Sequence, residues 1–309
     1  MRASETKVIP RKRIRFHIFV FLFPALIIYT LFMMFPIFDS LRISFYAMDS
    51  ERIPRFAGLD NYVELLSTPK WREDLLNALR NSSVFFFINF CVQNPVALFL
   101  AALLATKTKG GAAYRALLYA PTTLSLVVVG FVWQMLLSPI WGIVKTPLEA
   151  MGLPYHPWLG LESTALIAMA LISSWQYIGV PILLYYTALI AIPEQLIEAA
   201  HIDGASGWKI FWTIKFPLIL PVAGVISIMT YIFNFNAFDI IYALKGPLAG
   251  PNMSTDTMMS FFYRTFFGHE FQQPNPEMGA AIAGLILCIL LIGVLIYYFW
   301  QKKIENYEL

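Results

Sequence analysis

The sequence predicts an all-α membrane protein with six transmembrane helices, and three observations predict it. The first is composition: of 309 residues, 58% are hydrophobic and only 13% charged, with a mean hydropathy of +0.64. A soluble domain has about 45–50% apolar and about 25% charged residues, so the excess here requires the bilayer as solvent. The second is spacing. Six apolar stretches, near 16–38, 80–105, 115–138, 163–191, 216–238 and 279–300, each reach the roughly 20 helical residues that cross a hydrocarbon core. Backbone groups in lipid must be satisfied internally, so these stretches are expected to be helices. The third is charge. Thirteen Lys and Arg fall in the 58 residues of 1–15, 106–115, 192–215 and 301–309, against nine in the 107 residues of the alternate segments. The positive-inside bias therefore predicts cytoplasmic N- and C-termini and a cytoplasmic 192–215 loop.

Basic residues before the first apolar run imitate a secretory signal. However, the run from Phe16 to Phe38 exceeds the 7–15 residues of a signal core, and no small-x-small cleavage site follows it. It is expected to stay as the first span of a multi-pass membrane protein. Pro24, Pro95, Pro121, Pro181 and Pro221 lie inside the spans and predict kinks supported by neighbouring helices. Cys91 and Cys288 both fall in apolar runs and read as free thiols. No soluble domain of useful size is left over, which makes 1–309 a single transmembrane domain. The net charge of +3 is not gathered into a patch, so no nucleic-acid partner is expected.

One segment does not belong in oil: EAAHIDGASGWKIF, residues 198–211. Pro193 to Ile202 reads as a short helix with Leu196, Ile197 and Ala200 on one face. Asp203-Gly204 ends it, because glycine takes the left-handed conformation of a helix stop. Ser206 caps a second helix carrying Trp208, Phe211 and Trp212 at i, i+3 and i+4, and both helices are expected to lie across the cytoplasmic face. Small residues at 199, 200, 204 and 205 leave the backbone open to a close-packed partner, and Glu198 and Asp203 suit a basic one. An ordinary amphipathic interfacial loop fits these residues equally well.

Glu198-Ala199-Ala200, three residues, Gly204, nine residues, Ile214, one residue, then Phe216-Pro217 resembles the EAA loop of bacterial ABC-importer permeases, with Phe216 in place of the usual Leu. KGGAAYRALLYAPTTLS (109–125), FNFNAFDIIYAL (233–244) and GLDNYVELL (58–66) are similar to stretches of the carbohydrate branch, and the overall likeness is to the maltose-type, binding-protein-dependent permeases. The resemblance implies that this EAA loop, between helices 4 and 5, is a coupling helix docked on a cytoplasmic ATPase through Glu198, Ala199, Ala200, Asp203, Gly204 and Gly207. It implies as partners a second homologous permease, an ATPase subunit dimer, an extracytoplasmic substrate-binding protein received by segments 39–79 and 239–278, a carbohydrate and membrane lipid. It places ATP and Mg in the ATPase, with no cofactor in this chain.

The sequence agrees that this chain is not an enzyme. It has no G-x-x-x-x-G-K-[ST] phosphate loop; Gly204 to Lys209 reads GASGWK. His17, His156, His201 and His269 are dispersed and suggest no metal site, and neither G-x-S-x-G nor H-E-x-x-H occurs, so no catalytic residue is expected.

Polar side chains inside spans face a bundle interior or a water-filled cavity, where they either meet cargo or bond neighbouring helices. Asn89, Gln93 and Asn94, Thr122, Ser125 and Gln134, Ser173, Ser174, Gln176 and Tyr177, and Thr230, Asn234, Asn236 and Asp239 are such groups. Neutral amides and hydroxyls beside aromatic rings suit a sugar. Carried over from the resemblance, the substrate path runs through Thr122, Leu126, Ser173, Gln176, Tyr177, Val180, Thr230 and Asn234; Gln176 and Tyr177 depart from the maltose permease. The expected function is the permease subunit of an ATP-driven importer for a mono- or oligosaccharide. The alternatives are the same transporter type for glycerol phosphate, a polyol or an anionic oligosaccharide, and a stand-alone membrane carrier.

Overall fold

The computed structural model describes residues 16–48, 53–106, 110–270 and 272–305. The basic N-terminal segment, Lys107 and Lys109, and residues 306–309 lie outside them. Among the described residues, four helices are long and apolar enough to cross a membrane: Val20–Ile43, Pro69–Leu104, Gly207–Phe235 and Pro276–Ile304. Two further pairs qualify only together, Gly111–Thr123 with Leu126–Leu136 and Glu162–Tyr177 with Gly179–Ile190, which makes six if each pair is one span.

Of the expected proline kinks, those near Pro121 and Pro181 coincide with bends, whereas Pro24 and Pro221 lie inside unbroken helices. The third segment breaks by 93° where Pro121 falls in a tight 3-10 turn, and the fourth by 47° at Ile178. Three of the long helices instead absorb a proline without breaking. Pro36, Pro95 and Pro217 each follow a five-residue π segment: Thr30–Met34, Asn89–Gln93 and Phe211–Lys215. A proline lacks an N–H and its ring crowds the carbonyl four residues back, here that of Phe32, Cys91 and Thr213. Widening the turn around that carbonyl lets the helix continue.

Helix ends also differ from the apolar windows. The second helix starts at Pro69 rather than near residue 80, and its 36 residues rise about 54 Å, against a hydrocarbon core of about 30 Å. Its first turns, with Arg72, Glu73 and Asp74, therefore project into a layer outside the membrane. That layer contains an antiparallel pair, β1 (Tyr46–Met48) and β2 (Pro54–Phe56), with Tyr46 opposite Phe56. The GLDNY stretch has a structural task there. Buried Asn61 donates to the carbonyls of Ser44 (2.8 Å) and Tyr46 (2.7 Å), and the Tyr62 hydroxyl donates to Ser44 Oγ at 2.9 Å.

The helix Met258–Phe267 completes this layer, with Met258 and Phe261 packed against Leu75, Ala78 and Met278. Its Arg264 is buried, donating to Asp256 at 2.7 Å with Asp74 at 3.6 Å, and its guanidinium stacks on the Phe261 ring. Burial pushes the Asp256 carboxyl up to about 6, despite the opposing pull of Arg264 and the Ser260 hydroxyl. Asn81 reaches the Asp256 carbonyl at 2.9 Å and Asn77 that of Met253 at 3.0 Å, so the second helix is stitched to this loop. Cys91 and Cys288 are both unpaired.

Candidate functional site

A cavity of about 490 Å³ opens between the second, fourth and fifth helices and the short helix Asp239–Lys245. The fifth helix supplies Thr230 and Asn234, one turn apart on one face; the fourth supplies Ser173, Tyr177 and Val180; the bend of the third supplies Thr122 and Leu126. Seven of the eight positions expected along a substrate path thus border one space. Gln176 does not. It is buried in the joint between the third and fourth segments, where its backbone carbonyl accepts from Thr122 Oγ1 (2.9 Å) and its amide donates to the Leu124 carbonyl (3.2 Å). The joint is tight because Gly179 brings backbone against backbone: a Cβ there would lie 2.8 Å from Tyr119 Cα.

Hydrogen bonds separate polar groups that fasten helices from those left to the cavity. Asn89 accepts from Ser174 at 2.8 Å and donates to the Phe85 carbonyl, joining the second and fourth helices. Asn94 accepts from Thr230 at 3.2 Å, joining the second and fifth, and Gln134 is spent on the Leu244 carbonyl at 2.7 Å. Asn89 and Gln93 border the same cavity, which only the intramembrane polarity of the second span foreshadowed. So does Asp239, in the first turn of its helix. Among the described residues on the cavity wall it carries the one charge, and no Lys, Arg or His accompanies it.

At the other end of the fifth helix stands the 194–211 segment. Pro193 precedes rather than opens the helix Glu194–Ile202. Asp203 terminates it and Gly204 follows at φ +74°. The Ala205 amide bonds back to the Ala200 carbonyl (2.9 Å) and the Gly204 amide to that of His201 (3.0 Å), a Schellman closure. No atom lies within 4 Å of a Cβ built on Gly204, so backbone conformation alone demands glycine there. Ser206 caps the next turn by accepting from the Lys209 amide at 3.4 Å.

The expected second surface helix is not separate. Gly207 begins the 29-residue fifth helix, which runs unbroken to Phe235 because the π segment before Pro217 carries it past the proline. Glu198, Ala199, Asp203, Gly204 and Gly207 are exposed, whereas Ala200 is buried beneath them. Of the expected apolar face, Ile197 is half-buried and Leu196 exposed. Sequence reasoning missed Ile202, a large apolar side chain left 87% exposed beside the turn, with Trp208 74% exposed one turn into the next helix.

A cavity inside a helical bundle, tied by one continuous helix to an exposed capped turn, is an arrangement for passage across a membrane. Residues 93–306 match the family model of the binding-protein-dependent transport system inner membrane component. The chain belongs to that family. Among its relatives, the "Probable ABC transporter permease protein YurN" of Bacillus subtilis (strain 168) is 30% identical over 93% of this chain and 94% of its own length. The sn-glycerol-3-phosphate transport system permease protein UgpA of Agrobacterium fabrum (strain C58) is 29% identical over 89% of this chain and 91% of its own. In structure, the chain resembles a subunit of a bacterial ABC transporter involved in import of the acidic polysaccharide alginate. That match has a TM-score of 0.79 at 21% identity, over 93% of this chain and 96% of the other, and so speaks for the fold.

The protein is thus a multi-pass inner-membrane permease of ABC-importer type, in a family of transport components with no catalytic activity of their own. The likeness extends to this wider family of carbohydrate, polyol and anionic-solute importers and does not single out the maltose-type branch.

Proposed function

We propose that the chain forms, with a second homologous permease, the path for a polyhydroxylated solute delivered by an extracytoplasmic binding protein, and that its 194–207 turn docks on a cytoplasmic ATPase dimer that binds ATP and Mg. The continuity of Gly207–Phe235 carries this reading. One helix of about 43 Å has the capped turn at one end and Thr230 and Asn234 at the other, so a push on the turn moves the cavity wall as a rigid body. Glu198, Ala199, Ala200, Asp203, Gly204 and Gly207 form the docking surface. Thr122, Leu126, Ser173, Tyr177, Val180, Thr230 and Asn234 line the path, with Gln176 acting through the joint it holds.

The cargo class is read from the lining: among aliphatic side chains it presents amides, hydroxyls, aromatic rings and the Asp239 carboxylate, with no cation, which suits the hydroxyl rim and C–H faces of a carbohydrate. A second reading, an anionic relative such as glycerol phosphate or an acidic oligosaccharide, is favoured by the cargo named for two of the similar proteins. Copurification from native membranes tests the assembly. An ATPase, a second permease and a binding protein are expected with the tagged chain, and a ligand screen of that binding protein separates neutral from anionic cargo. A chain that purifies alone and still moves solute when reconstituted would leave only a stand-alone carrier. Within the assembly, Glu198→Ala and Gly204→Pro abolish solute-stimulated ATP hydrolysis while membrane insertion persists; normal uptake by both variants removes the coupling assignment.

A further inference from the structure

A row of aromatic rings connects the cavity to the layer outside the membrane. Phe238 and Tyr242 are four residues apart, at and just before the helix Asp239–Lys245, and Tyr263 and Phe267 are four apart on the helix Met258–Phe267. The two pairs meet. Ring centroids are separated by 5.2 Å (Phe238–Tyr242), 4.6 Å (Phe238–Tyr263), 5.5 Å (Tyr242–Tyr263) and 4.9 Å (Tyr263–Phe267). At one end Phe238 lines the cavity; at the other, Phe267 borders a separate hollow with Gly268, His269 and Pro274. The same helix buries Met258, Phe261, Arg264 and Thr265 on its opposite face, so the Arg264–Asp256 clamp fixes which side the rings present. The row is open at Phe267 (57% exposed) and Tyr242 (41%), while Phe238 and Tyr263 are half-buried against each other.

We propose that these four rings are a binding track, leading outward from the cavity wall at Phe238, for a solute that is both cyclic and polyhydroxylated, such as a pyranose. The proposal rests on the reading above that the cargo is polyhydroxylated, and it narrows that class to ring-shaped members. A saturated sugar ring offers a flat C–H face that packs on an aromatic face, and a hydroxyl rim that the two tyrosine hydroxyls can meet. Because the rings are contiguous and end on the cavity wall, a solute leaving one ring finds the next before it reaches water. An open-chain polyol has the same hydroxyls without the flat face and gains little from such a row. The segment lies outside the membrane-spanning helices, and its tyrosine hydroxyls are poorly suited to lipid.

The test uses the full chain in lipid nanodiscs with its copurified subunits, and saturation-transfer NMR with two probes, methyl β-D-glucopyranoside and D-sorbitol. Wild type is expected to transfer saturation to the ring C–H protons of the glucoside and only weakly to sorbitol. Tyr263→Leu and Phe267→Leu, which keep apolar bulk without a flat face, are expected to weaken glucoside binding about threefold to tenfold, while Tyr263→Phe and Tyr263→Trp retain it. A wild-type signal from neither probe, or a glucoside signal indifferent to the leucine variants, overturns the track. Loss of the second permease from either leucine variant, with glucoside contact unchanged, assigns the row to a subunit interface and overturns it as well. Should a leucine variant fail to fold, the Tyr263→Trp and Tyr263→Phe signals decide: both must match or exceed wild type. Absence of partner subunits from the preparation sinks the transport reading and leaves this readout in place, so the two failures are distinguishable.

Discussion

The two ends of the fifth helix are held in opposite ways. At Gly207 the chain is secured mainly by its own backbone, through the Schellman closure on Ala200 and His201 and the Ser206 cap, with Ala200 and Ile210 as the buried side chains. Past Phe235 the chain enters a layer secured by side chains from far along the sequence: Arg264 on Asp256, Asn81 on the Asp256 carbonyl, and Ser82 on the Met258 amide at 2.9 Å. One end is finished within this chain, whereas the other leaves Ile202 and Trp208 in the open for something else to cover. A rod anchored at one end and offered at the other is what the proposed coupling requires.

The largest effect is expected where the anchored end is cut. Arg264→Leu leaves Asp256 buried without its cation and should lower stability by about 3–5 kcal/mol, read as a fall in unfolding midpoint in mild detergent. A midpoint equal to wild type would mean that the outer layer is not anchored there, and the contrast between the ends would collapse. At the free end the corresponding change is smaller and local. Gly204→Ala places a Cβ at φ +74° with no steric clash, so its whole cost of about 1–2 kcal/mol is conformational. Amide exchange at Ala205 should accelerate while the global midpoint moves little. A global loss as large as that of Arg264→Leu would show the turn to be part of the core.

How far each end was legible in the sequence follows the same contrast. The turn is local: the left-handed Gly204 and the Ser206 cap are written within a few residues, and the structure realises both. Its continuation into the fifth helix was missed because Pro217 reads as a boundary, and only the widened turn before it removes the clash. The cavity was legible where two polar groups share one face, as Thr230 and Asn234 do. It was not legible at Gln176, because which neighbour a polar side chain meets depends on a bend in another segment. The clamp was invisible. Arg264 and Asp256 are eight residues apart, their burial comes from helices nearly two hundred residues away, and no periodicity marks them.

The clamp also makes the anchored end sensitive to pH. Asp256 is raised from 3.8 to about 6 by burial, so the native state holds its proton more tightly than the unfolded chain. Its contribution to stability is therefore complete below the unfolded value and is lost as pH rises through about 6. Between pH 5 and 7.5 the wild type should lose roughly 1 kcal/mol on this account. Asp256→Asn, though less stable throughout, should lack that slope. Arg264 and Asp74 are the charged groups that face this carboxylate. A slope shared by wild type and variant would move the titration elsewhere.

The smallest stability effect is expected at the free end, where it separates lipid from protein as the partner. Trp208 stacks on Trp212 at 5.7 Å, and Trp212 on Phe216 at 5.0 Å, beside Lys209 and Lys215. That is the composition of a membrane-interface belt, and it would explain Trp208 without any ATPase. Ile202 has no such company. It lies before the glycine turn, outside the aromatic stack, and its exposure exceeds that of Trp208. Ile202→Ser should therefore leave stability within about 0.5 kcal/mol of wild type, as a surface change does, while weakening retention of the ATPase in pull-downs. If the whole segment serves lipid, both Ile202→Ser and Trp208→Ala impair insertion and leave ATPase retention untouched. If the turn docks on protein and the aromatic stack on lipid, the two variants fail in different assays, and the border between the surfaces falls between Gly204 and Trp208.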